Sequence, residues 1–191
     1  MNLADKIRRF FSALRLSTGF GEASHSLTLG EEVYGGRVNR HTVTIKARPS
    51  DVYQFLVDSG NMHWWCPQDK ILVEKITPGD LGPGAKIRYR LNYRINPTWH
   101  SVVVDMEEDS RIINRFVDGI FEGGVEIWQI KEVEEGAELS HTLIYRINGL
   151  IFKIGWILLG GKAKHDELTE EALGNLKRIV EGRSDVSTRM T

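Results

Sequence analysis

Glu126, His141 and Tyr145 are the residues of this 191-residue chain whose types and spacing could do chemistry together. They lie on two segments of alternating polarity that flank Glu135-Gly136, so a turn there folds one segment back onto the other. With Glu135-Gly136 as a two-residue turn, counting outward sets Ile130 opposite His141, Trp128 opposite Leu143 and Glu126 opposite Tyr145. All six then share one sheet face. The other face carries Ile127, Gln129 and Lys131 beside Ser140, Thr142, Ile144 and Arg146, so the Trp128 face is expected to point inward. A carboxylate placed among apolar neighbours has to be paired, protonated or wet, because its desolvation is costly. The expectation is that Glu126 and Tyr145 hydrogen-bond each other and form a polar anchor, with His141 and Tyr89 as further contacts. Burial would then raise the Glu126 pKa toward a range useful for proton transfer. The rival reading puts Glu126 at an open sheet end and leaves the Tyr145 hydroxyl in water, since a slip of one residue exchanges the two faces.

Those residues need a sheet to hold them, and the chain supplies one. His41, Val43, Ile45 and Ala47 alternate with Thr42, Thr44 and Lys46 as in a half-buried strand. Pro49 then opens a helix, with Ser50 and Asp51 suited to its first turn and Val52, Phe55 and Leu56 forming its inward stripe. After a second short helical segment come strands near Ile71–Val73, Lys86–Arg94, Thr98–Met106, Arg111–Val117, Val125–Val133 and Glu138–Asn148. Short turns between successive strands imply antiparallel neighbours. Leu168, Ala172, Leu176 and Ile179 recur at helical spacing, which predicts a helix over Lys164–Glu181.

The ends divide from this body. Leu3, Ile7, Phe10, Phe11 and Leu14 make residues 3–16 a basic amphipathic helix, and residues 17–36 read as an irregular linker. The N-terminal helix either docks on the domain or makes weak contact with a membrane surface through Phe10 and Phe11. The domain is expected over 37–183, with 184–191 a flexible tail.

Composition narrows the function classes. A formal net charge of −1 leaves no global attraction to nucleic acid, and none is expected as a partner. Cys66 is the single cysteine, which fits a reducing compartment, so the expected location is cytoplasmic. His63 and Cys66 have a His-x-x-Cys spacing, but no second pair follows to complete a metal site. No metal and no cofactor are therefore expected. Trp64, Trp65 and Cys66 read instead as packing residues at the corner between helix and sheet. Arg88, Arg90 and Arg94 alternate with Tyr89, Leu91 and Tyr93 and read as a solvated outer stripe. A P-loop, a dinucleotide-binding glycine motif and a Gly-x-Ser-x-Gly elbow are all missing.

The order strand, helix, short helix, antiparallel strands and long C-terminal helix resembles the helix-grip fold of the START-like (SRPBCC) superfamily. Asp58, Asn61, Trp65 and Pro67, then Gly82-Pro83-Gly84 opening the Ile87–Tyr93 strand, look like its polyketide cyclase/dehydrase branch. Trp128 within Val125–Ile130, followed by Glu135-Gly136-Ala137 leading into Leu139–Tyr145, continues the pattern. The resemblance spans about residues 40–182. It implies an α+β fold in which a curved antiparallel sheet of about seven strands wraps a long C-terminal helix, with two short helices after the first strand. It also implies an apolar cavity for a lipid-like or polycyclic molecule. Trp65, Tyr89, Leu91, Tyr93, Trp128, Leu143 and Trp156 would touch that ligand, and Glu126, His141 and Tyr145 would be the catalytic candidates. Three roles remain open: a carrier or sensor of a hydrophobic molecule, a cyclase or dehydratase-like enzyme, and a partner-binding module without ligand.

Overall fold

The structure, a computed structural model, describes residues 25–29, 32–92, 96–149, 153, 156 and 160–189. The residue 3–16 helix and its docking or membrane contact lie outside them. Strands β1 (His25–Leu29) and β2 (Glu32–Ile45) form a hairpin in which Leu29 pairs with Glu32. Residues 25–29 and 32–36 are thus strand, where their glycines read as an irregular strap. After β2 come α1 (Pro49–Val57), a 3-10 turn (Ser59–Asn61) and α2 (Met62–Trp65). Six more strands follow: β3 (Ile71–Lys75), β4 (Lys86–Leu91), β5 (Thr98–Glu107), β6 (Arg111–Phe116), β7 (Val125–Val133) and β8 (Gly136–Tyr145). A 29-residue helix α3 (Gly161–Arg189) ends the described chain, so it extends through 184–189, which the sequence suggests as a flexible tail.

The strands make one antiparallel sheet of eight in the order β1-β2-β8-β7-β6-β5-β4-β3. The hairpin at the N-terminal edge adds the eighth strand to the expected seven. Helix α1 begins on Pro49, and Arg48 holds the first-turn Asp51 through Nε and Nη2 at 3.0 and 2.8 Å. Its buried stripe is Val52, Tyr53, Phe55 and Leu56. Asp58 stops it: Oδ1 accepts from Gly60 N at 2.9 Å and Oδ2 from Asn61 Nδ2 at 3.0 Å, which sets up the turn into α2. Helix α3 lays Thr169, Ala172, Leu173, Leu176 and Val180 into the sheet's concavity, and each of these is buried. The four apolar residues of that set, together with Ile45, Val52 and Leu139, belong to the main core.

The β7–β8 register differs from the expected one. Val133 pairs with Gly136, so the turn is Glu134-Glu135, and each pairing slides by two residues: Glu126 faces Leu143, Trp128 faces His141 and Ile130 faces Leu139. Gly136 follows the turn at φ 132°, and a Cβ there would stand 2.4 Å from the Ile45 carbonyl oxygen. The glycine lets the start of β8 pass close under the end of β2. A slip of two keeps every side chain on its expected face, because the strand period is two.

Candidate functional site

Two cross-strand rows build the site. One runs His41, His141, Trp128 and Ile112 across β2, β8, β7 and β6. The next runs Asn39, Leu143, Glu126, Asn114 and Val103, reaching β5. Both rows face α3. Glu126 is buried, and three donors converge on it: Tyr89 Oη and Asn114 Nδ2 reach Oε2 at 2.8 Å, while His141 Nε2 lies 2.9 Å from Oε1. A carboxylate only accepts, so His141 carries its proton on Nε2. Tyr89 Oη also lies 3.2 Å from Ser101 Oγ, and Ser101 is fully buried.

Burial pushes the Glu126 carboxyl up, and the His141 hydrogen bond and charge, with Asn114 and Tyr89, outweigh it and hold it below the usual range. The expected upward shift toward proton transfer is therefore reversed, because three donors stabilise the anion. Burial, reinforced by the Glu126 charge, pushes the Tyr89 phenol well up, so it stays a donor. Beside them His165 of α3 stacks near His141, with ring centroids 6.3 Å apart. Burial, then the charges of His141 and His41, lower His165 to about 4.

A cavity of about 840 Å³ opens beside this cluster. Its wall is largely apolar: Leu56, Met62, Trp65, Ile87, Leu91, Trp99, Ile112, Phe116, Trp128, Leu143 and Trp156. Tyr89, Asn114, Glu126 and His141 also line it. Several lining residues carry a buried polar atom with no hydrogen-bond partner among the described residues: Asn114 Oδ1, His141 Nδ1 and the indole nitrogens of Trp65, Trp99 and Trp156. At the exposed rim Lys70 Nζ bridges Glu167 and Glu171 of α3 at 2.8 and 2.6 Å. Gly161 starts α3 against Trp156: a Cβ there would stand 2.4 Å from the indole Cδ2, so glycine lets the helix close on that ring.

Of the residues expected to touch a ligand, Trp65, Tyr89, Leu91, Trp128, Leu143 and Trp156 all line the cavity, and Trp65 meets Trp128 edge-on at 5.4 Å. Tyr93 lies outside the described residues. Glu126 and His141 come together as expected, but the tyrosine placed 2.8 Å from the carboxylate is Tyr89. Tyr145 is buried in an aromatic cluster, 5.5 Å from Phe121 and 5.8 Å from Trp156 between ring centroids. Asn114 and Ser101 are functional candidates that the sequence reading missed. A signal existed for Asn114, since alternation places it on the face of Ile112 and Phe116. His63 is exposed and packs on Trp64, while Cys66 is buried, so the two do not converge. Trp64 is itself 60% exposed and is not the packing residue expected. Arg88 and Arg90 are exposed, and Arg88 pairs with Glu74, as an outer stripe would.

A family model described as polyketide cyclase/dehydrase and lipid transport matches residues 39–181, which takes in the second half of β2, every later strand and most of α3. The chain belongs to this family. Solved structures agree on the fold of the cyclase/dehydrase and lipid transport domain. TTHA0849 from Thermus thermophilus has a TM-score of 0.63 at 20% identity, covering 77% of this chain and 99% of that one. The aromatase/cyclase di-domain StfQ of the steffimycin biosynthetic pathway has 0.58 at 14% identity, over 78% of this chain and 51% of that one. The Aha1 dimer from Colwellia psychrerythraea has 0.55 at 18% identity, over 75% of this chain and 96% of that one. No curated protein matches the chain. Among the described residues no helix is long and apolar enough to cross a membrane.

Proposed function

We propose that this domain binds a hydrophobic small molecule, lipid-like or polycyclic, in the 840 Å³ cavity, as a carrier or sensor. The observation that carries the reading is the cavity itself: a largely apolar wall with an organised polar cluster around Glu126. Ligand sites are commonly clefts of about 300–1,000 Å³ in which a few placed polar groups fix orientation. The unpartnered indole N–H groups add a chemical preference, since a buried donor left without an acceptor costs about 1–3 kcal/mol. A largely apolar ligand with a few oxygen acceptors satisfies both features. Glu126 suits the anchor role better than proton shuttling, because three donors hold its anion and lower its basicity. A partner module without ligand would be expected to close this space with side chains.

The cyclase reading keeps one specific observation in its favour. His141 is oriented by Glu126 through Nε2, lines the cavity, and leaves Nδ1 unpartnered, the arrangement of a carboxylate-oriented general base. Native mass spectrometry of the purified chain, followed by solvent extraction, tests the binding reading. Co-purification of an apolar molecule that Leu91→Trp displaces supports it. A chain that carries nothing and takes up no fluorescent fatty acid or polycyclic probe refutes it. Conversion of a captured molecule, abolished by His141→Gln with binding retained, replaces the carrier with the enzyme.

A further inference from the structure

Adjoining the Glu126 cluster, on the α3 side of β2, the fold gathers a second set of groups. His41 from β2 and His165 and Asp166 from α3 each offer a metal-ligand atom, and these atoms lie within 4.8 Å of one another. Asn39 is buried beside them, and its Nδ2 donates to Asp166 Oδ1 at 2.6 Å and lies 3.0 Å from His165 Nδ1. One amide NH₂ group therefore sits where two lone pairs converge. His41 Nε2 lies 3.3 Å from that same Asp166 oxygen, is buried, and has no hydrogen-bond partner among the described residues.

We propose that His41, His165 and Asp166 form a binding site for a divalent first-row transition-metal ion of the Zn²⁺ class. Two imidazoles and a carboxylate are the donor set such ions prefer over Mg²⁺ or Ca²⁺. Ligands bond Zn²⁺ at about 2.0–2.2 Å, so two on one ion stand about 3–4.5 Å apart, and the three groups need only small side-chain adjustments. The ion lies between the Asp166 oxygen and His165 Nδ1, where the Asn39 NH₂ group now points, and that amide turns aside to admit it. Glu170 Oε1 lies 3.7 Å from His41 Nδ1, and closing that gap by a few tenths of an ångström makes it the outer carboxylate of a ligating imidazole. The opposing charge is Lys162, whose Nζ donates to Asp166 Oδ2 at 2.9 Å. Its side chain is about half exposed and can withdraw into solvent. His165 also lines the large cavity, so an ion here would sit in its wall.

The test uses the full chain without a histidine tag, stripped with EDTA and dialysed free of it. Zn²⁺ is titrated by calorimetry, and Co²⁺ by its visible ligand-field absorption. One equivalent is expected to bind saturably, with Co²⁺ bands characteristic of nitrogen and oxygen ligation. His41→Gln and Asp166→Asn are each expected to weaken binding more than about tenfold, since losing outer-shell partners alone costs about 10–100-fold. Lys162→Met removes the opposing charge at an exposed position and is expected to tighten binding. It decides the matter if the other variants do not fold: tighter binding supports the site, and unchanged binding overturns it. Absence of saturable Zn²⁺ uptake overturns the proposal, as does uptake that survives both ligand variants and is lost in His63→Gln.

Discussion

Replacing Glu126 by alanine removes the acceptor on which three donors converge, and the structure sets the size of the loss. Tyr89 keeps Ser101 at 3.2 Å, but Asn114 Nδ2 and His141 Nε2 are left without an acceptor. Two orphaned donors at about 1–3 kcal/mol each give about 2–6 kcal/mol. Water entering from the adjoining cavity draws the total toward the low end, so Glu126→Ala is expected to destabilise by about 3 kcal/mol. Glu126→Gln is expected to cost only about 1 kcal/mol. Its oxygen still accepts from Tyr89 and Asn114, and its NH₂ faces His141, which moves its proton to Nδ1 and accepts at Nε2. The pH dependence follows from the lowered carboxyl. Its folded pKa lies below the ordinary 4.5, so the Glu126 contribution is complete above that value and is lost as pH falls through the folded pKa. The gap between wild type and Glu126→Gln should therefore shrink below about pH 4. Urea unfolding followed by tryptophan fluorescence at pH 7 and at descending pH measures all three quantities. An alanine variant within about 0.5 kcal/mol of wild type, the range of ordinary surface changes, refutes the reasoning. A glutamine variant as damaging as alanine refutes the proton-relocation part.

Gly136→Ala is expected to destabilise by about 1–3 kcal/mol, because its φ of 132° and the 2.4 Å approach to Ile45 O leave no room for a Cβ. Gly174→Ala, on α3 with nothing within 4 Å of the added carbon, should stabilise by about 0.5–1 kcal/mol, and thermal melts separate the two signs. Burial, followed by the Glu126 charge, pushes the Cys66 thiol up. A disulfide dye should leave it untouched at pH 8 in the folded chain and label it promptly in urea, and fast native labelling would contradict its placement. Leu91→Trp fills the half-exposed part of the cavity wall and should abolish uptake of an apolar probe while costing no more than about 1–3 kcal/mol in urea unfolding.

Alternation alone determined which side of β7 and β8 faces inward, and so placed Glu126, Trp128, His141 and Leu143 on the cavity wall. That conclusion survived an incorrect turn because a slip of two residues preserves sidedness, whereas a slip of one would have reversed it. The inward stripes of α1 and α3 were legible for the same reason, since helical period fixes a face without reference to any partner. His141 and Tyr89 were expected beside the anchor, but that Tyr89 rather than Tyr145 bonds the Glu126 carboxylate, with Asn114 next to it, was not legible. Tyr89 on β4 and Glu126 on β7 are three strand spacings apart, about 14 Å in a flat sheet, yet their oxygens lie 2.8 Å apart because the sheet curls around α3. The turn itself was decided by packing of Gly136 under Ile45, a contact 91 positions distant in the chain. His41, His165 and Asp166 likewise have no motif, because the strand ligand stands 124 positions before His165, the first ligand on the helix that completes the set. Local periodicity carries the orientation of each element, and the closing of a curved sheet on its helix decides which inward residues meet.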